Sequence, residues 1–348
     1  MPINEICLFS NRHAVSSFHT EKRVNAMDCM NEKDDTHRIG FFLVPEFSMI
    51  AFSSAVEPLR LANRAAGTPL YSWFSYSLDG EPVMASNGIA VAVDGPIAES
   101  EGLHTVFVCG GIHISQYADK ALSTRLRRLA SHGTDLGAIC TASYILAKAG
   151  LLADRRCTIH WENLAAFTED FPDINVTSEL FEIDGNRYTC AGGTAALDMM
   201  LNIIANQEGA AIAAKVADTM IHHRIRDGHE GQRMELRSRL GIAHPKLLAV
   251  IALMEESLEE PLTCSELAMS VGLSARQLER LFKKYLNDAP KHYYLQLRLN
   301  RARYLLRQTS LPVLGVALAS GFVSASHFSK CYREHFEYTP SEERRAIT

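Results

Sequence analysis

Residues 267–290 read LAMSVGLSARQLERLFKKYLNDAP, and residues 316–340 read VALASGFVSASHFSKCYREHFEYTP. The second stretch repeats the first: each opens on an aliphatic residue and alanine, passes through a glycine and a serine, and ends on proline. The offset between the copies is 49 before the glycine turn and 50 after it, so we interpret Val323 as a one-residue insertion. The repeat indicates two copies of one structural module.

Each copy has the pattern of a short helix, a glycine turn and a longer helix, which is typical of a helix-turn-helix unit. In the first copy, Thr263 with Glu266 and Ser274 with Gln277 have the spacing of capping boxes, in which each side chain satisfies a free amide at a helix start. The C-terminal part of the chain is therefore predicted to be all-helical, with two helix-turn-helix units.

The longer helix of each copy is predicted to have an apolar side and a polar, basic side. The apolar side consists of Leu278, Leu281, Phe282 and Tyr285 in the first copy and Phe328, Cys331, Tyr332 and Phe336 in the second. Arg and Lys on the opposite side suit the major groove of DNA, although the same pattern also fits ordinary solvated charges. The residues expected to contact DNA are Ser274, Arg276, Gln277, Arg280, Lys283, Ser324, Ser326, His327, Lys330 and Arg333.

Residues 244–345 resemble the DNA-binding domain of AraC-type transcription regulators. The matching positions are Ala317, Gly321, Phe322, His327, Phe328, Tyr332, Phe336 and Pro340. The family usually has glycine where Glu337 stands, and Asn287 occupies the equivalent position in the first copy. The resemblance implies a DNA-binding domain over residues 244–348 and a double-stranded operator. It also implies a homodimer, contact with RNA polymerase, and recognition helices about one helical turn, or 34 Å, apart.

Length and charge favour two domains. The chain has 348 residues, 47% of them hydrophobic, and a net charge of −5, which argues against a uniformly basic nucleic-acid coat. From residue 244 onward there are 14 Lys and Arg against 11 Asp and Glu, a net of +3, whereas the remainder has 21 against 29, a net of −8. A mildly basic module joined to an acidic one is typical of a regulator.

The cysteines and the apolar runs indicate the compartment. The eight cysteines contain no CxxC pair, and no apolar run approaches a membrane span or the core of a signal peptide. We therefore expect a cytoplasmic protein without membrane contact. No His, Cys or carboxylate cluster has metal-ligand spacing, and neither a metal nor a cofactor is expected.

Four segments are predicted. Residues 1–37 are polar and patternless and are interpreted as a flexible extension. Residues 38–223 alternate strands and helices, which predicts an α/β domain with a doubly wound, mostly parallel sheet. Residues 224–243, rich in charge and glycine, are interpreted as a linker, and residues 244–348 form the DNA-binding domain.

One strand end of the α/β domain has the form of a nucleophile elbow. A predicted strand over residues 135–139 runs directly into Cys140 and Thr141, and a helix follows. A cysteine at a helix start tends toward the thiolate. His160 follows 20 residues later, beside Trp161.

Residues 38–223 resemble the DJ-1/PfpI branch of the class I glutamine amidotransferase-like fold. Residues 137–142, GAICTA, match the family elbow, His160 matches its histidine, and Gly110-Gly111 matches its oxyanion loop. Ala142 replaces the usual glycine, and the family's catalytic acid has no clear counterpart around residues 46–57. Two interpretations of Cys140 remain: a nucleophile activated by His160, or a pocket residue of a fold now used for binding.

The binding interpretation predicts an effector pocket at the carboxyl ends of the strands. Its expected residues are Glu46, Phe47, Gly110, Gly111, Cys140, Thr141, His160 and Trp161. Backbone amides there suit a carboxylate, and aromatic rings suit a cation, although the same rings are equally expected in a core.

The combined architecture resembles the regulators of glycine betaine, carnitine, choline and arginine catabolism. The runs that carry this resemblance are residues 55–60, AVEPLR, residues 86–88, SNG, residues 160–162, HWE, and residues 328–334, FSKCYRE. It implies a ligand-responsive activator of small quaternary-amine or amino-acid catabolism, with betaine, carnitine or choline as effector. The alternative is a cysteine-dependent hydrolase or hydratase that carries a DNA-binding domain.

Overall fold

The computed structural model describes residues 36–345. The extension predicted over residues 1–37 lies outside the described residues except for its last two. The second of these, His37, already begins the first strand of the sheet, so the α/β domain starts slightly earlier than predicted.

The α/β domain is built on a seven-stranded sheet in which every pair is parallel except the hairpin at one edge. The strand order is β10 (Phe181–Asp184), β11 (Arg187–Cys190), β7 (Asp135–Ile139), β6 (Thr105–Cys109), β1 (His37–Leu43), β2 (Tyr71–Ser77) and β5 (Gly95–Pro96). All five residues of β6 are buried, as expected for a central strand that is covered on both faces. The predicted doubly wound, mostly parallel sheet is confirmed.

Two short pairs of strands lie outside this sheet. They are β3 (Val83–Met84) with β4 (Ala90–Val91), antiparallel, and β8 (Arg156–Thr158) with β9 (Asn175–Thr177), parallel.

Helices cover both faces of the sheet, and each face has its own apolar core. One face carries α1 (Met49–Ala66), α5 (Ala195–Glu208) and α6 (Ala210–Thr219); the other carries α2 (Lys120–Ser131) and α3 (Ser143–Lys148). A further helix, α4 (Trp161–Asp170), follows β8.

The local sequence pattern predicts a helix from Ala210 to His223, and the end of α6 differs from this prediction. The helix stops at Thr219, and Ile221 has φ 57°, a left-handed conformation that an α-helix does not accommodate. The ring of His222 instead binds the buried carboxylate of Asp198 at 2.8 Å. A tertiary contact thus overrides the local helical pattern.

The segment predicted to be a linker, residues 224–243, is fastened to the α/β domain. Gln232 Nε2 donates hydrogen bonds to Thr158 Oγ1 and to the carbonyl oxygens of Ile159 and Glu179, at 2.9–3.0 Å. The segment also contains a short helix, α7 (Leu236–Leu240). It connects the domains, but it does not behave as a free spacer.

The C-terminal domain is all-helical, as predicted. Its helices are α8 (Pro245–Glu256), α9 (Cys264–Ser270), α10 (Ala275–Leu286), α11 (Pro290–Gln308), α12 (Val313–Ala319), α13 (Ala325–Phe336) and α14 (Pro340–Arg345). The first helix-turn-helix unit is α9 and α10, and the second is α12 and α13. The long helix α11 contributes Tyr294 to the core of the first unit and Leu299 and Leu305 to that of the second.

The turns confirm the predicted boundaries. Both capping boxes of the first unit are present. The glycines of the two turns, Gly272 and Gly321, have φ 64° and 75°. Val323 is 96% exposed, as expected for an extra residue in the second turn. Asn287 and Glu337 both end their helices in the left-handed conformation, with φ 52° and 71°.

Candidate ligand pocket and nucleic-acid interface

The outer faces of α10 and α13 are open to solvent. Leu278 and Phe282 anchor α10, and Phe328 and Tyr332 anchor α13, all four of them buried. All ten side chains expected to contact DNA are exposed: Ser274, Arg276, Gln277, Arg280, Lys283, Ser324, Ser326, His327, Lys330 and Arg333. Each unit therefore presents a polar, basic helix face around an apolar anchor, in equivalent positions.

Some of these polar groups also hold the helices. Ser274 and Gln277 form the capping box of α10, and Ser324 Oγ accepts the His327 N–H at 3.4 Å. Tyr285, expected on the apolar side, is instead 39% exposed because it lies at the last turn of α10, beyond the core.

Four arginines of α11, Arg298, Arg301, Arg303 and Arg307, have the charge for phosphate contacts, but the structure gives most of them partners within the protein. Arg298 donates to the carbonyl oxygens of Ser320 and Gly321 at 2.9 and 2.6 Å, which ties α11 to the second turn. Arg303 and Arg307 pair with the carboxylate of Glu343 on α14. These side chains hold the second unit together.

The elbow has the predicted geometry. Cys140 follows the last residue of β7 and has φ 66°, a strained conformation for a side chain other than glycine. Its backbone is held by Cys190, whose oxygen accepts the Cys140 N–H at 3.0 Å, and by His160, whose N–H donates to Cys140 O at 3.3 Å. Gly192 lies so close that a Cβ atom there would be 2.6 Å from Cys140 Cβ.

The chemistry of the elbow differs from the expected thiolate. Burial raises the pKa of Cys140 to about 12, because the ionised sulfur would lose its hydration. Burial likewise lowers the pKa of His160, so its ring is neutral at physiological pH. The Nδ1 atom of His160 accepts the Glu162 N–H at 3.4 Å as the cap of α4, which leaves the ring proton on Nε2.

A neutral imidazole that carries its proton on Nε2 is a donor at that atom. Within residues 36–345, no carboxylate is hydrogen-bonded to the Cys140 sulfur. The elbow thus has the shape of a nucleophile site, with a buried thiol whose pKa is raised to about 12.

The glycine pair lies directly against the elbow. A Cβ atom on Gly110 would lie 2.7 Å from the backbone nitrogen of Ala142, and one on Gly111 would overlap the carbonyl oxygen of Glu46. Thr141 Oγ1 donates to Gly111 O at 2.7 Å. This close approach requires glycine at both positions.

A cavity of about 630 Å³ opens beside the elbow. Of the eight residues expected to bind a ligand, the structure places Gly111, Cys140, Thr141 and His160 in its wall. The other four lie elsewhere: Glu46, Phe47, Gly110 and Trp161.

The four outlying residues have structural contacts instead. Glu46 binds His113 Nδ1 at 2.8 Å, and Phe47 is fully buried in an edge-to-face contact with Phe52. The ring of Trp161 lies 6.2 Å from that of Tyr304, and the Arg233 guanidinium lies 4.6 Å above it. Phe47 belongs to the core, and Trp161 belongs to the contact between the two domains.

The cavity also has a wall that the sequence did not indicate. Tyr304, Arg307 and Gln308 of α11 and Glu343 of α14 line it from the DNA-binding domain. No local motif marks these residues, because their position depends on how the two domains contact each other. Among residues 36–345, no group of three His, Cys, Asp or Glu side chains is arranged to hold a metal ion.

The fold and the sites define a class of protein: a sensor-type α/β domain joined to a pair of DNA-binding helix-turn-helix units. The family described as "DJ-1/PfpI family" matches residues 37–206, and the family described as "Helix-turn-helix domain" matches residues 267–346. None of the helices in the described part of the chain has the length and apolarity needed to cross a bilayer.

Two relatives align with most of the chain, and one solved structure aligns with about half of it. The HTH-type transcriptional regulator GbdR of Pseudomonas aeruginosa is 48% identical over 306 residues, which is 88% of this chain and 83% of GbdR. The HTH-type transcriptional regulator CdhR of the same species is 47% identical over 307 residues, 88% of this chain and 91% of CdhR. A crystal structure of an AraC family transcriptional regulator from Pseudomonas putida is 28% identical, with a TM-score of 0.49, over 53% of this chain and 99% of that one.

The chain belongs to the AraC-type HTH transcriptional regulators that carry an N-terminal DJ-1/PfpI domain. It is a ligand-responsive, DNA-binding regulator of transcription.

Proposed function

We propose that this regulator binds its operator through the exposed faces of α10 and α13. The observation that supports this most directly is that the two helices present equivalent basic faces around buried apolar anchors. Arg276 and Arg280 on α10, and Lys330 and Arg333 on α13, are the side chains with the reach and charge for guanine edges or phosphates. Ser274, Ser324 and Ser326 supply shorter hydrogen bonds at the helix starts.

The effector we propose is a small quaternary amine or amino acid such as glycine betaine, carnitine or choline, bound in the cavity beside Cys140. The size of the cavity, about 630 Å³, suits such a molecule. The choice of effector rests on the resemblance to regulators of glycine betaine and carnitine catabolism. In the same proposal the protein is a cytoplasmic homodimer that activates transcription through RNA polymerase.

In this proposal the elbow binds ligand and performs no reaction. The raised pKa of Cys140 supports it, since a thiol with a pKa of about 12 carries very little thiolate at neutral pH. The rival function, a cysteine hydrolase or hydratase, requires the thiolate.

A Cys140→Ser substitution separates the two functions, because it removes the thiol and nearly preserves the shape of the cavity. We expect effector-dependent activation of a promoter reporter to persist in this variant, with Arg276→Ala as the control that loses activation. If the wild-type chain turns over glycine betaine, carnitine, choline or arginine and Cys140→Ser does not, the result would favour the hydrolase or hydratase function.

Calorimetry of the full chain with glycine betaine, carnitine, choline and arginine identifies the effector class. We expect at least one of the four to bind. Absence of binding by all four would contradict the proposed effector class.

A further inference from the structure

The cavity beside the elbow lies between the two domains. Helix α4 lies along α11, and the buried Ala166 of α4 belongs to the same apolar cluster as Leu299 and Leu305 of α11. Tyr304 of α11 donates a hydrogen bond to Glu162 of α4 at 3.3 Å. A molecule in this cavity therefore contacts the sensor on one side and the DNA-binding domain on the other.

The sensor side offers a carboxylate that lacks a cation. The Glu162 side chain is 41% exposed, and within the described residues no Lys or Arg lies within ion-pair distance of it. Its neighbour His160, at 3.7 Å, is neutral because burial lowers the pKa of the ring. The rings of Tyr144 and Tyr304 line the same cavity, and aromatic faces attract cations. This side suits the positive end of a ligand.

The DNA-binding side offers a cation and an open acceptor. Arg307 uses its Nε to bind Glu343, which leaves the other guanidinium donors available, and its side chain is 45% exposed. Gln308 Oε1 is buried and has no hydrogen-bond partner in the described structure. A buried acceptor without a partner is costly, and an N–H or O–H of a ligand removes that cost.

We infer that the effector site is completed by the DNA-binding domain and takes a small zwitterion, with its cation at Glu162 and its carboxylate at Arg307. The inference rests on the proposed function, in which this cavity holds the effector. It adds that Arg307 and Gln308 contact the ligand directly. A single bound molecule therefore contacts both the α/β domain and the DNA-binding domain.

The same residues connect the ligand to a recognition helix. Glu343 is 3% exposed in its side chain and accepts a hydrogen bond at 2.8 Å from the hydroxyl of Tyr332, a fully buried residue of α13. A ligand carboxylate at the free donors of Arg307 shares the guanidinium charge with Glu343 and so weakens the attraction between Arg307 and Glu343. Binding thereby changes how Glu343 holds Tyr332, and with it the position of α13.

The first test compares ligand affinities of the full chain by calorimetry, with whichever of the three carboxylate-bearing compounds, glycine betaine, carnitine and arginine, binds the wild-type chain most tightly. Arg307→Ala should weaken binding about tenfold to a hundredfold, as expected for loss of a hydrogen bond to a charged group. Lys291→Ala removes a positive charge from the exposed side of the same helix, away from the cavity, and should bind as the wild type does.

A second variant covers the case in which Arg307→Ala fails to fold. Gln308→Leu breaks no hydrogen bond of Oε1, since this atom has none, and it is tested with carnitine or arginine because glycine betaine has no N–H or O–H to donate. A lower affinity in this variant reports contact with the ligand. Wild-type affinity in both variants would overturn the shared site while leaving the proposed function intact. Failure of the wild-type chain to bind any of the four compounds would overturn both.

The second test concerns transmission to α13. The operator is a duplex selected by the wild-type chain from a random library, and its affinity is measured with and without the ligand. Coupling factors of roughly 5 to 150 are typical, and the duplex must change the ligand affinity by the same factor. Tyr332→Phe should keep the ligand affinity measured without DNA and lose most of this factor. An unchanged factor in Tyr332→Phe would overturn the route through Glu343.

Discussion

At the scale of single residues, the sequence predicted the shape of the elbow but not its chemistry. The pattern of a strand, Cys140 and a helix is local, and Cys140 has the expected strained backbone, with φ 66°. The protonation state of the thiol depends on its burial against Cys190 and Gly192, which lie in and next to a hairpin that is distant in the sequence. A raised pKa therefore cannot be read from the residues next to the cysteine.

This environment predicts a slowly reacting thiol. Because the pKa of Cys140 is raised to about 12, its thiolate fraction stays very low until the pH approaches that value. At pH 7.4, iodoacetamide should modify Cys140 roughly tenfold or more slowly than the half-buried Cys264, as followed by peptide mass spectrometry. In concentrated urea the two rates should converge. Native-state modification of Cys140 as fast as that of Cys264 would show an activated nucleophile.

Local sequence motifs predict some of the residues that line the pocket but not others. Gly111, Thr141 and His160 were predicted from motifs at strand ends, and they line the cavity. The prediction of Phe47 as a pocket residue rests on residue type alone, and residue type does not distinguish a ring in a pocket from a ring in a core. Tyr304 and Arg307 carry no signal in the sequence because they reach the cavity from another domain.

At the scale of elements, the two helix-turn-helix units were the most predictable part of the fold. Their capping residues, turn glycines and apolar positions all lie within about 25 residues of one another, so local sequence specifies them. The end of α6 was predicted less well, because the hydrogen bond between the His222 ring and the buried carboxylate of Asp198 determines it. A local sequence pattern does not predict interactions between elements that are distant in the chain.

The two turn glycines make a matched pair. Both have positive φ, so an alanine at either position should cost about 1 kcal/mol in strain. A Cβ atom on Gly321 would also lie 2.6 Å from Leu258 O, whereas one on Gly272 meets only Lys246 Nζ at 3.7 Å. Gly321→Ala should therefore lower the free energy of unfolding by about 1–3 kcal/mol more than Gly272→Ala.

Urea denaturation of the full chain, followed by circular dichroism of the helical signal, measures this difference. Equal destabilisation by Gly272→Ala and Gly321→Ala would mean that the second turn has room that the structure does not show.

At the scale of the whole molecule, the two domains are in closer contact than the prediction of a linker over residues 224–243 implies. Gln232 fastens the connecting segment to the sensor, and α4 contributes Ala166 to the core of the second DNA-binding unit. This arrangement places the cavity beside Cys140 against α11, which lies between the two recognition helices in the chain. The sequence predicted both domains, but their contact depends on shape complementarity between surfaces far apart in the chain.

The central proposal is that the exposed faces of α10 and α13 contact the bases and phosphates of DNA. Fluorescence anisotropy with the selected duplex tests it directly, by comparing the wild-type chain with Arg276→Ala, Lys330→Ala and the control Lys291→Ala. Each of the first two should lose about 1–3 kcal/mol of binding free energy, with an unchanged circular dichroism spectrum, while the control keeps wild-type affinity. Wild-type affinity in both Arg276→Ala and Lys330→Ala would contradict the assignment of these faces to DNA.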